Sequence, residues 1–413
     1  MNCRVFPPDE MLETQVSLPL SKSISNRALV INALTDGALP LKKVAKCDDT
    51  DVMVAALSSD EACVNIGAAG TAMRFLTAYY SSQPGREIVI DGTERMRHRP
   101  IAVLVDALRA CGATIEYVGE ECYPPLRISG KKLHGGDITL SASVSSQYIS
   151  ALLMIAPTME QGLRLTLEGD IISRPYIMMT LSMMRQWGVE SEFVGNIITI
   201  APQKYAPVDF EVEADWSAAS YWYEIAALSS GDVSLQGLNS KSVQGDSEIS
   251  KYFENLGINT HFNDEMVELE PSPDLVPRLN IDLSDQPDLA QTIVVTSCML
   301  GVPFHITGLS TLKIKETDRL EALRTEMLKL GMVLTIERDS ELIWDGTRRP
   351  IYEFPVIDTY EDHRMAMAFA PVSIFIPGIV INNIEVVSKS YPDYWQHLQD
   401  AGFKFQEDIE VNE

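Results

Sequence analysis

The sequence predicts an α/β protein of two domains, built from six copies of a βαβαββ unit with three copies in each domain. Three observations support this prediction: the chain has 413 residues, helical patterns alternate with short strand patterns, and a glycine follows one helix of each unit at a regular interval. A chain of this length exceeds one ordinary hydrophobic core. Hydrophobic residues at 46% and charged residues at 22% are typical of a folded globular chain.

The repeated phrase is an amphipathic helix, a glycine and a short β-branched or aromatic run. Glycine stops a helix because it enters the left-handed region without steric cost, and here such glycines recur about every 70 residues. They are Gly112, Gly188, Gly257, Gly331 and Gly402. The first unit is the least regular, since 51–57 supplies its amphipathic helix and no glycine follows in place.

A second, more apolar helix precedes each amphipathic one, and short strands such as 87–90 and 164–167 lie between the two. These apolar helices are predicted near 24–34, 71–80, 146–156, 217–229, 288–300 and 362–374. The uncharged segment 289–309 is long enough to span a membrane, but its polar residues favour a buried helix followed by a strand. Six units in two domains place the boundary near Glu213–Asp215.

Composition excludes several classes of protein. The formal net charge of −25 argues against nucleic acid and anionic membranes as partners. The six cysteines form no C-x-x-C pair and no zinc-ligand spacing with the six histidines, which indicates a reducing compartment and no structural zinc. The first residues lack the pattern of a signal peptide. We therefore expect a soluble, cytosolic protein.

Positive charge is concentrated at the predicted starts of helices. A cation in the first turn opposes the helix dipole by up to about 1 kcal/mol, so its repetition indicates a bound anion that outweighs this cost. For any single cluster, a solvated basic helix end remains an alternative. The basic and hydroxyl clusters are 21–27, 95–100, 145–147, 313–319 and 362–364.

Seven cations are candidates for anion binding, which is too many for one carboxylate and fits two anionic substrates held side by side. They are Lys22, Arg27, Arg74, Arg99, Arg319, Arg364 and Lys389. Neutral donors that suit phosphate or sugar hydroxyls accompany them at Ser23, Ser145, Ser146 and Gln147. If the loops at one end of the units converge, these side chains line one cleft between the domains.

Acidic residues among the cations are candidates for acid–base chemistry. Glu316 and Asp288 could each act as a general acid or base in a closing cleft. Helix capping is an alternative for Asp288 and Asp362, and Asp318 fits the first turn of a helix. His363 could be a proton shuttle, an anion donor or a buried helical histidine. The sequence has no P-loop, G-x-G-x-x-G or Ser-His-Asp pattern, which disfavours nucleotide hydrolysis and hydride transfer.

Six separated motifs together resemble the 5-enolpyruvylshikimate-3-phosphate synthase family, from about Leu18 to Trp395. The motifs are 18–27, 69–74, 97–100, 145–147, 315–319 and 362–367. The resemblance implies a transferase of the shikimate pathway, which leads to chorismate and the aromatic amino acids. Its reaction moves the enolpyruvyl group of phosphoenolpyruvate to the 5-hydroxyl of shikimate 3-phosphate and releases phosphate through a tetrahedral ketal.

The resemblance also implies the two-domain enolpyruvyl-transferase fold, with the active-site cleft between the domains. We expect one domain at 21–214 and a second formed by 1–20 with 215–413. No cofactor and no metal are expected. The expected partners are the two small-molecule substrates, without nucleic acid or membrane, and the expected state is a cytoplasmic monomer.

The site residues follow by similarity to the family motifs. Asp288 resembles the base at the attacking hydroxyl, Glu316 the proton carrier at the methylene carbon, and Lys22 a catalytic cation that contacts both substrates. The residues implied for shikimate 3-phosphate are Lys22, Ser23, Arg27, Ser145, Ser146, Ser173, Tyr176, Asp288 and Lys315. Those implied for phosphoenolpyruvate are Lys22, Gly70, Arg99, Gln147, Arg319, Arg364 and Lys389.

Three positions depart from the usual family pattern. Leu20 stands where glycine often precedes Ser-Lys-Ser, Ala68 where asparagine is usual, and Thr311–Leu312 where an Asn-Trp pair is usual. The related transferase acting on UDP-N-acetylglucosamine is a rival, but it uses a loop cysteine and 86–99 contains none. The other rival is a non-catalytic homologue that binds a ligand, which the retained acids and Lys22 disfavour.

Overall fold

The computed structural model describes residues 1–143, 145–263, 266–351 and 353–407, and the chain divides into two compact units. The first, called here the continuous unit, is Ser21–Val212. The second, called the split unit, joins Met1–Leu20 to the chain from Glu213 onward.

Each repeat contains the two helices expected for it, one apolar and one amphipathic. In the continuous unit they are α1 (Lys22–Ala33), α2 (Asp48–Ser58), α3 (Gly70–Ser81), α4 (Glu94–Arg97), α5 (Ala102–Ala110), α6 (Ser146–Ile155) and α7 (Arg174–Gln186). In the split unit they are α8 (Trp216–Ser229), α9 (Ile249–Glu254), α10 (Ala290–Leu300), α11 (Arg319–Lys329), α12 (His363–Phe369) and α13 (Tyr394–Asp400). Short 3-10 turns lie at Ala156–Thr158, Gly245–Glu248, Pro287–Leu289, Ser310–Ile314, Ala370–Ile374 and Ile384–Lys389.

The strands are short and lie between these helices. Those of the continuous unit are β3 (Cys63–Asn65), β4 (Glu87–Asp91), β5 (Thr114–Tyr117), β6 (Leu126–Ser129), β7 (Gly136–Ser141), β8 (Leu163–Glu168), β9 (Glu192–Val194) and β10 (Ile197–Ile200). Those of the split unit are β1 (Cys3–Phe6), β2 (Glu13–Ser17), β11 (Asp232–Gln236), β12 (Leu256–Phe262), β13 (Met266–Leu275), β14 (Leu279–Asp282), β15 (Phe304–Thr307), β16 (Thr335–Glu337), β17 (Glu341–Trp344), β18 (Val356–Ile357), β19 (Ile379–Ile381) and β20 (Lys404–Glu407).

The described strands form five four-stranded sheets that share one topology. Two strands pair in parallel, a third pairs antiparallel with the second of them, and the remaining strand lies antiparallel at the edge. The orders are β3-β4-β6-β5, β7-β8-β10-β9, β2-β11-β13-β12, β14-β15-β17-β16 and β18-β19-β1-β20. A parallel pair needs a crossover connection and an antiparallel pair does not, so each sheet matches the predicted βαβαββ unit.

The split unit takes two strands from the beginning of the chain. β2 runs parallel to β11, with Thr14 opposite Val233. β1 lies between β19 and β20, with Val5 opposite both Ile379 and Phe405. The first and last sheets of this unit are therefore completed by residues before Leu20.

The predicted helix pattern is confirmed. The six apolar helices lie at α1, α3, α6, α8, α10 and α12, and nearly every residue of α6, α8, α10 and α12 is buried. The five helix-stopping glycines all have positive φ, for example +100° at Gly112 and +92° at Gly402. The segment 289–309 contains α10 and β15, both largely buried, as predicted.

The first unit differs from the other five. It contains α1 and α2, but within the described ranges no strand of a sheet accompanies them. The segments 38–46 and 201–212 lie outside helices and strands and contain Pro40, Pro202 and Pro207, and proline lacks the N–H that a sheet ladder requires. The Lys42 ammonium still joins two of these segments, at 2.7 Å from Asp209.

All six cysteines are free thiols, and four of them are buried. Among the described residues, no helix is long and apolar enough to cross a membrane, and no group of histidine, cysteine and acidic side chains has the arrangement of a metal site.

Glu224 in α8 is a carboxyl group buried in the core of the split unit. It is fully buried, and neither of its oxygens has a hydrogen-bond partner among the described residues. Burial raises its pKa well above the ordinary value. Because the folded-state pKa lies above the unfolded one, Glu224 destabilises the fold increasingly as the pH rises above about 4.3.

Glu224→Gln is therefore expected to stabilise the protein at pH 7, because the amide is uncharged in the buried site at every pH. The gain should disappear below about pH 4, where the carboxyl is protonated in both states. Urea unfolding of the variant and the parent at pH 4 and pH 7 measures this difference. Equal stabilities at both pH values would contradict the expectation.

Candidate functional site

The split unit contains a network of ion pairs centred on Arg319, the first residue of α11. Its guanidinium is 2% exposed and reaches three carboxylates: Nε is 2.6 Å from Asp362 Oδ2, Nη1 is 2.8 Å from Asp288 Oδ1, and Nη2 is 3.0 Å from Glu316 Oε2. Nη2 also donates to Asp362 Oδ1 at 3.2 Å, which makes this pair bidentate. We call the whole set the Arg319 network; it comprises Asp288, Lys315, Glu316, Arg319, Asp362, Arg364 and Lys389.

Asp288 lies in the 3-10 turn before α10 and accepts three cations. Lys315 Nζ is 3.2 Å from its Oδ1, beside Arg319, and Arg364 Nη2 is 3.6 Å from its Oδ2. Burial opposes ionisation of this carboxyl, but Lys315, Arg364 and Arg319 together hold its pKa well below the usual range. Asp288 is thus a carboxylate at neutral pH, and its side chain forms ion pairs. It does not cap α10, since the described start of that helix has no side-chain cap hydrogen bond.

Glu316 bridges two cations. Its Oε2 accepts from Arg319, and its Oε1 is 3.0 Å from Lys389 Nζ in the 3-10 turn before α13. The Glu316 side chain is 14% exposed. A carboxyl group held from two sides in this way has a fixed orientation but retains access to solvent.

Arg364 extends the network toward α8. Its Nη2 is 3.3 Å from Ser217 Oγ, and Ser217 in turn donates to Asp246. Burial raises the pKa of Asp246 to about 6, and the positive charge of Arg364 opposes that shift. His363, next to Arg364, is 3% exposed and its Nδ1 is 3.7 Å from Asp362 Oδ1.

Helix capping explains how the local sequence places this network. Asp318 caps α11 by accepting from the N–H groups of Leu320 and Glu321, so Arg319 starts the helix. Asp362 caps α12 by accepting from the Arg364 N–H. Capping and ion pairing thus coexist at Asp362, where the sequence left capping as an alternative.

In the continuous unit, Lys22 is the first residue of α1 and Ser21 is its N-cap. Lys22 Nζ is 3.1 Å from Asp49 Oδ2 in α2, and Asp49 is 3% exposed. The buried carboxylate fixes the position of an ammonium that retains 18% exposure. Lys22 is therefore oriented and still accessible.

Arg27 is buried on the next turn of α1 among neutral partners. Its guanidinium donates to Thr180 Oγ1 at 2.8 Å, Ser23 O at 2.9 Å and Ser150 Oγ at 3.1 Å. In the described part of the chain no carboxylate pairs with it. Burial lowers its pKa to about 10, against an opposing effect of Tyr176, so Arg27 stays charged at neutral pH. A buried cation without a carboxylate is well suited to an anionic ligand.

Two guanidinium groups converge on Gly70, the first residue of α3. A Cβ at Gly70 would lie 2.7 Å from Arg99 Nη1 and 2.8 Å from Arg74 Nη1. Arg74 donates to Gly70 O at 2.7 Å, and on the next residue Thr71 Oγ1 accepts from Gln147 Nε2 at 3.0 Å. The start of α3 is thus surrounded by cationic and amide donors, which is a favourable place for an anion.

Gly70→Ala is expected to displace Arg99 and Arg74 together. The new methyl would force both guanidinium ends to move, and misplacement by about 1 Å of a binding group costs on the order of 10²-fold in activity. Because the ends of flexible side chains can move, we expect a raised KM for an anionic substrate that binds at the start of α3, with little loss of thermal stability. Gly119→Ala is the control, since its methyl meets Pro125 at an ordinary 3.6 Å. An unchanged KM in Gly70→Ala would contradict this account.

The predicted hydroxyl residues lie at helix starts of the continuous unit. Ser145 caps α6 by accepting from the Gln147 N–H, and Ser146 is the first residue of that helix. Ser173 precedes α7 with φ +53°, a strained conformation for a residue other than glycine, and Tyr176 follows in the first turn. The Arg27 guanidinium lies 5.9 Å from the Tyr176 ring centroid.

The basic run 95–100 does not act as one cluster. Arg97 pairs with Asp91 at 2.6 Å on the surface, and Arg95 is exposed. Only Arg99 approaches the start of α3. Alternation of exposed and inward positions in this loop is not visible in the sequence.

Several polar residues of these clusters had no individual signal in the sequence. Asp49, Asp246 and Ser217 join the clusters through partners far away in the chain, as do Ser150 and Thr180. Of the three departures from the family pattern, Leu20 forms a β-bridge with Ala214, and Leu312 is fully buried in the core. The Thr311 hydroxyl is buried without a hydrogen-bond partner among the described residues.

Comparison with known proteins identifies the family. The profile of the EPSP synthase (3-phosphoshikimate 1-carboxyvinyltransferase) family matches residues 56–398. The chain is 54% identical to the 3-phosphoshikimate 1-carboxyvinyltransferase of Bacteroides fragilis strain YCH46, over 95% of this chain and 96% of the relative. It is 34% identical to that of Vibrio campbellii, over 97% of this chain and 99% of the relative.

The fold agrees with the same family. The EPSP synthase structure from Acinetobacter baumannii superposes with a TM-score of 0.78 at 21% identity, covering 98% of this chain and all of that one. This match supports the mixed α/β architecture with its several small sheets. The chain belongs to the EPSP synthase family.

Proposed function

We propose that this chain is a 3-phosphoshikimate 1-carboxyvinyltransferase. It transfers the enolpyruvyl group of phosphoenolpyruvate to the 5-hydroxyl of shikimate 3-phosphate and releases inorganic phosphate. The observation that carries this proposal is the Arg319 network, in a chain 54% identical to a relative of that name. It combines an ionised acid, a bridged carboxyl group and four cations, which is what addition and elimination between two anionic substrates require.

We assign catalysis to Asp288, Glu316 and Lys22. Asp288 accepts the proton of the 5-hydroxyl as its oxygen bonds to C2 of phosphoenolpyruvate, while Glu316 delivers a proton to C3. In the second step the C2–O bond to phosphate breaks, Glu316 takes a proton back from C3, and the proton held by Asp288 passes to the departing phosphate. Lys22, fixed by Asp49, stabilises the charge on the substrates.

The low pKa of Asp288 in the free protein has a consequence for its role as base. The positive charges of Arg319 and Arg364 both help to lower the pKa of this carboxylate. An anionic phosphoenolpyruvate bound to these two arginines offsets part of their positive field, so Asp288 becomes more basic when that substrate is present. Basicity would then arise at the step where a base is needed.

The substrate contacts remain assignments by motif. Arg27, in its carboxylate-free setting, and the hydroxyl groups at the starts of α6 and α7 suit a phosphorylated polyol. The cations near Gly70 suit the phosphate of phosphoenolpyruvate. The set proposed for shikimate 3-phosphate is Lys22, Ser23, Arg27, Ser145, Ser146, Ser173, Tyr176, Asp288 and Lys315; the set proposed for phosphoenolpyruvate is Lys22, Gly70, Arg99, Gln147, Arg319, Arg364 and Lys389.

We further propose that the functional domains are 21–214 and 1–20 with 215–413, and that the enzyme is a cytoplasmic monomer without nucleic-acid or membrane partners. The net charge of −25 supports the last point. Light scattering of the purified protein tests the monomer, since a mass of twice the chain would reject it.

The proposed reaction is tested directly by phosphate release. Purified protein with both substrates, and without added metal or nucleotide, should release inorganic phosphate in proportion to enolpyruvylshikimate 3-phosphate formed. Each substrate alone is the control. UDP-N-acetylglucosamine in place of shikimate 3-phosphate tests the rival transferase. Folded protein that releases no phosphate with either acceptor would support the non-catalytic alternative.

A further inference from the structure

The segment Asp358–Asp362, called here the strap, joins β18 to α12 in a strained conformation. Tyr360 and Glu361 have φ values of +54° and +57°. A residue other than glycine in this left-handed region is uncommon, because its Cβ crowds the backbone. Two such residues in succession persist only where the surrounding structure fixes them.

One end of the strap is fixed by Glu326, a fully buried residue of α11. Its Oε1 accepts from the Tyr360 hydroxyl at 2.6 Å, and its Oε2 accepts from the Asp358 N–H at 3.0 Å. Lys329, on the next turn of α11, is 2.7 Å from Glu326 and 2.8 Å from Asp358, and it also donates to Val356 O at 2.9 Å. The buried carboxylate thus has three donors, and two of them belong to the strap.

The other end of the strap is fixed by the first residue of the same helix. Asp362 is fully buried, and both of its oxygens accept from Arg319, at 2.6 and 3.2 Å. Its Oδ1 also accepts from the Arg364 N–H at 2.9 Å. Helix α11 therefore holds both ends of the strap, with two turns of rigid helix between the anchors.

The strap sets the position of the Arg364 backbone. This residue follows the strap by two positions, and its guanidinium lies 3.6 Å from Asp288 Oδ2 and 3.3 Å from Ser217 Oγ. Arg364 is 9% exposed, so its side chain has little freedom to compensate for a displaced backbone. A change in the strap is expected to reach the Arg319 network through Asp362 and Arg364.

We propose that Glu326 and Tyr360 are positioning residues for phosphoenolpyruvate binding, acting by holding the strained strap that places Asp362 and Arg364. The inference rests on the proposed function, which assigns Arg364 to that substrate. Neither residue belongs to the set assigned to a substrate. Their contribution is the orientation of groups that do.

The test is Tyr360→Phe, which removes the hydroxyl donated to Glu326. Tyr360 is 37% exposed, so the variant is expected to fold. The KM for phosphoenolpyruvate should rise about tenfold, the scale of one lost hydrogen bond to a charged group. The KM for shikimate 3-phosphate and kcat should change much less. A purely structural role would instead reduce the folded fraction, which lowers the apparent kcat at unchanged KM.

Two matched variants separate these cases. Tyr205→Phe removes a buried hydroxyl that donates to Met154 O at 2.8 Å in the continuous unit, and it should leave the KM for phosphoenolpyruvate unchanged. Glu361→Asn keeps the strap conformation, because asparagine tolerates the left-handed region, and should retain the parental KM. A raised KM in both controls would overturn the proposal.

Hydrogen exchange supplies a readout that is independent of the reaction. In Tyr360→Phe the amides of Asp358, Asp362 and Arg364 should exchange faster than in the parent. A parent protein that releases no phosphate would reject the proposed function, while faster exchange would still support the anchoring. If the parent is active and Tyr360→Phe keeps its KM, the positioning role is wrong, whether or not exchange is faster.

Discussion

Glu316→Gln is expected to lower kcat about 10²- to 10⁴-fold, the usual contribution of a positioned general acid or base. The amide cannot deliver a proton to C3 of phosphoenolpyruvate or take one back. It is close in shape to the carboxyl, so it can still accept a hydrogen bond from either Arg319 or Lys389. Substrate binding should therefore be weakened far less than turnover. Steady-state rates of phosphate release, combined with calorimetric binding of phosphoenolpyruvate, measure the two effects separately.

The matched control is Glu321→Gln in the first turn of α11, five residues further along the chain. Glu321 pairs at 2.6 Å with Arg324, and both side chains are about half exposed. Such surface pairs contribute at most about 1 kcal/mol, so the control should keep its kcat. If Glu316→Gln keeps the parental kcat, or loses activity only through unfolding, the assigned role of Glu316 is wrong.

Arg319→Met is expected to destabilise the protein at pH 7 by about 3–5 kcal/mol, the cost of removing one partner from buried ion pairs. Asp288, Glu316 and Asp362 would lose the one cation that all three share, and their mutual repulsion would be offset less completely. Catalysis should also be lost, because two of these groups belong to the assigned machinery. Urea unfolding at pH 7 gives the change in stability.

The same substitution has an expected pH dependence. The folded-state pKa of Asp288 is depressed, so its ion pairs stabilise the parent above the unfolded pKa of about 3.9, and this stabilisation is lost as the pH falls through the folded-state pKa. The difference between parent and Arg319→Met should therefore shrink as the pH is lowered below about 4. Arg324→Met, the exposed control, should cost under about 1 kcal/mol at any pH. A loss that is independent of pH would argue against the electrostatic origin.

Much of the fold could be predicted from the sequence because the signals are local. The apolar helices follow from periodicity, and the five glycines fix where the amphipathic helices end. The first unit could not be predicted in the same way, since no glycine follows its second helix in place and, within the described ranges, no strand of a sheet accompanies its helices. The strand contributions of residues 3–6 and 13–17 also leave no local signature, because their partners lie hundreds of residues away in the chain.

The candidate site shows the same division. Motifs identified the six residues Asp288, Lys315, Glu316, Arg319, Arg364 and Lys389, which the structure brings together in one network. The groups that hold these residues in place were not predicted. Asp49, Asp246 and Glu326 are buried acids whose partners are set by tertiary packing, and a single acidic residue in a helix is ordinarily a solvated one. Their roles in the two units require coordinates.

The central position of β1 fixes the order in which the protein can be completed. Residues 3–6 are synthesised well before their neighbours β19 and β20, which lie more than about 370 residues further along the chain. Residues 21–212 are contiguous, so every partner they need within their own unit exists while the rest is still being synthesised. β1 therefore has neither of its neighbours until β19 has been made, and the last sheet cannot be complete before β20 has followed.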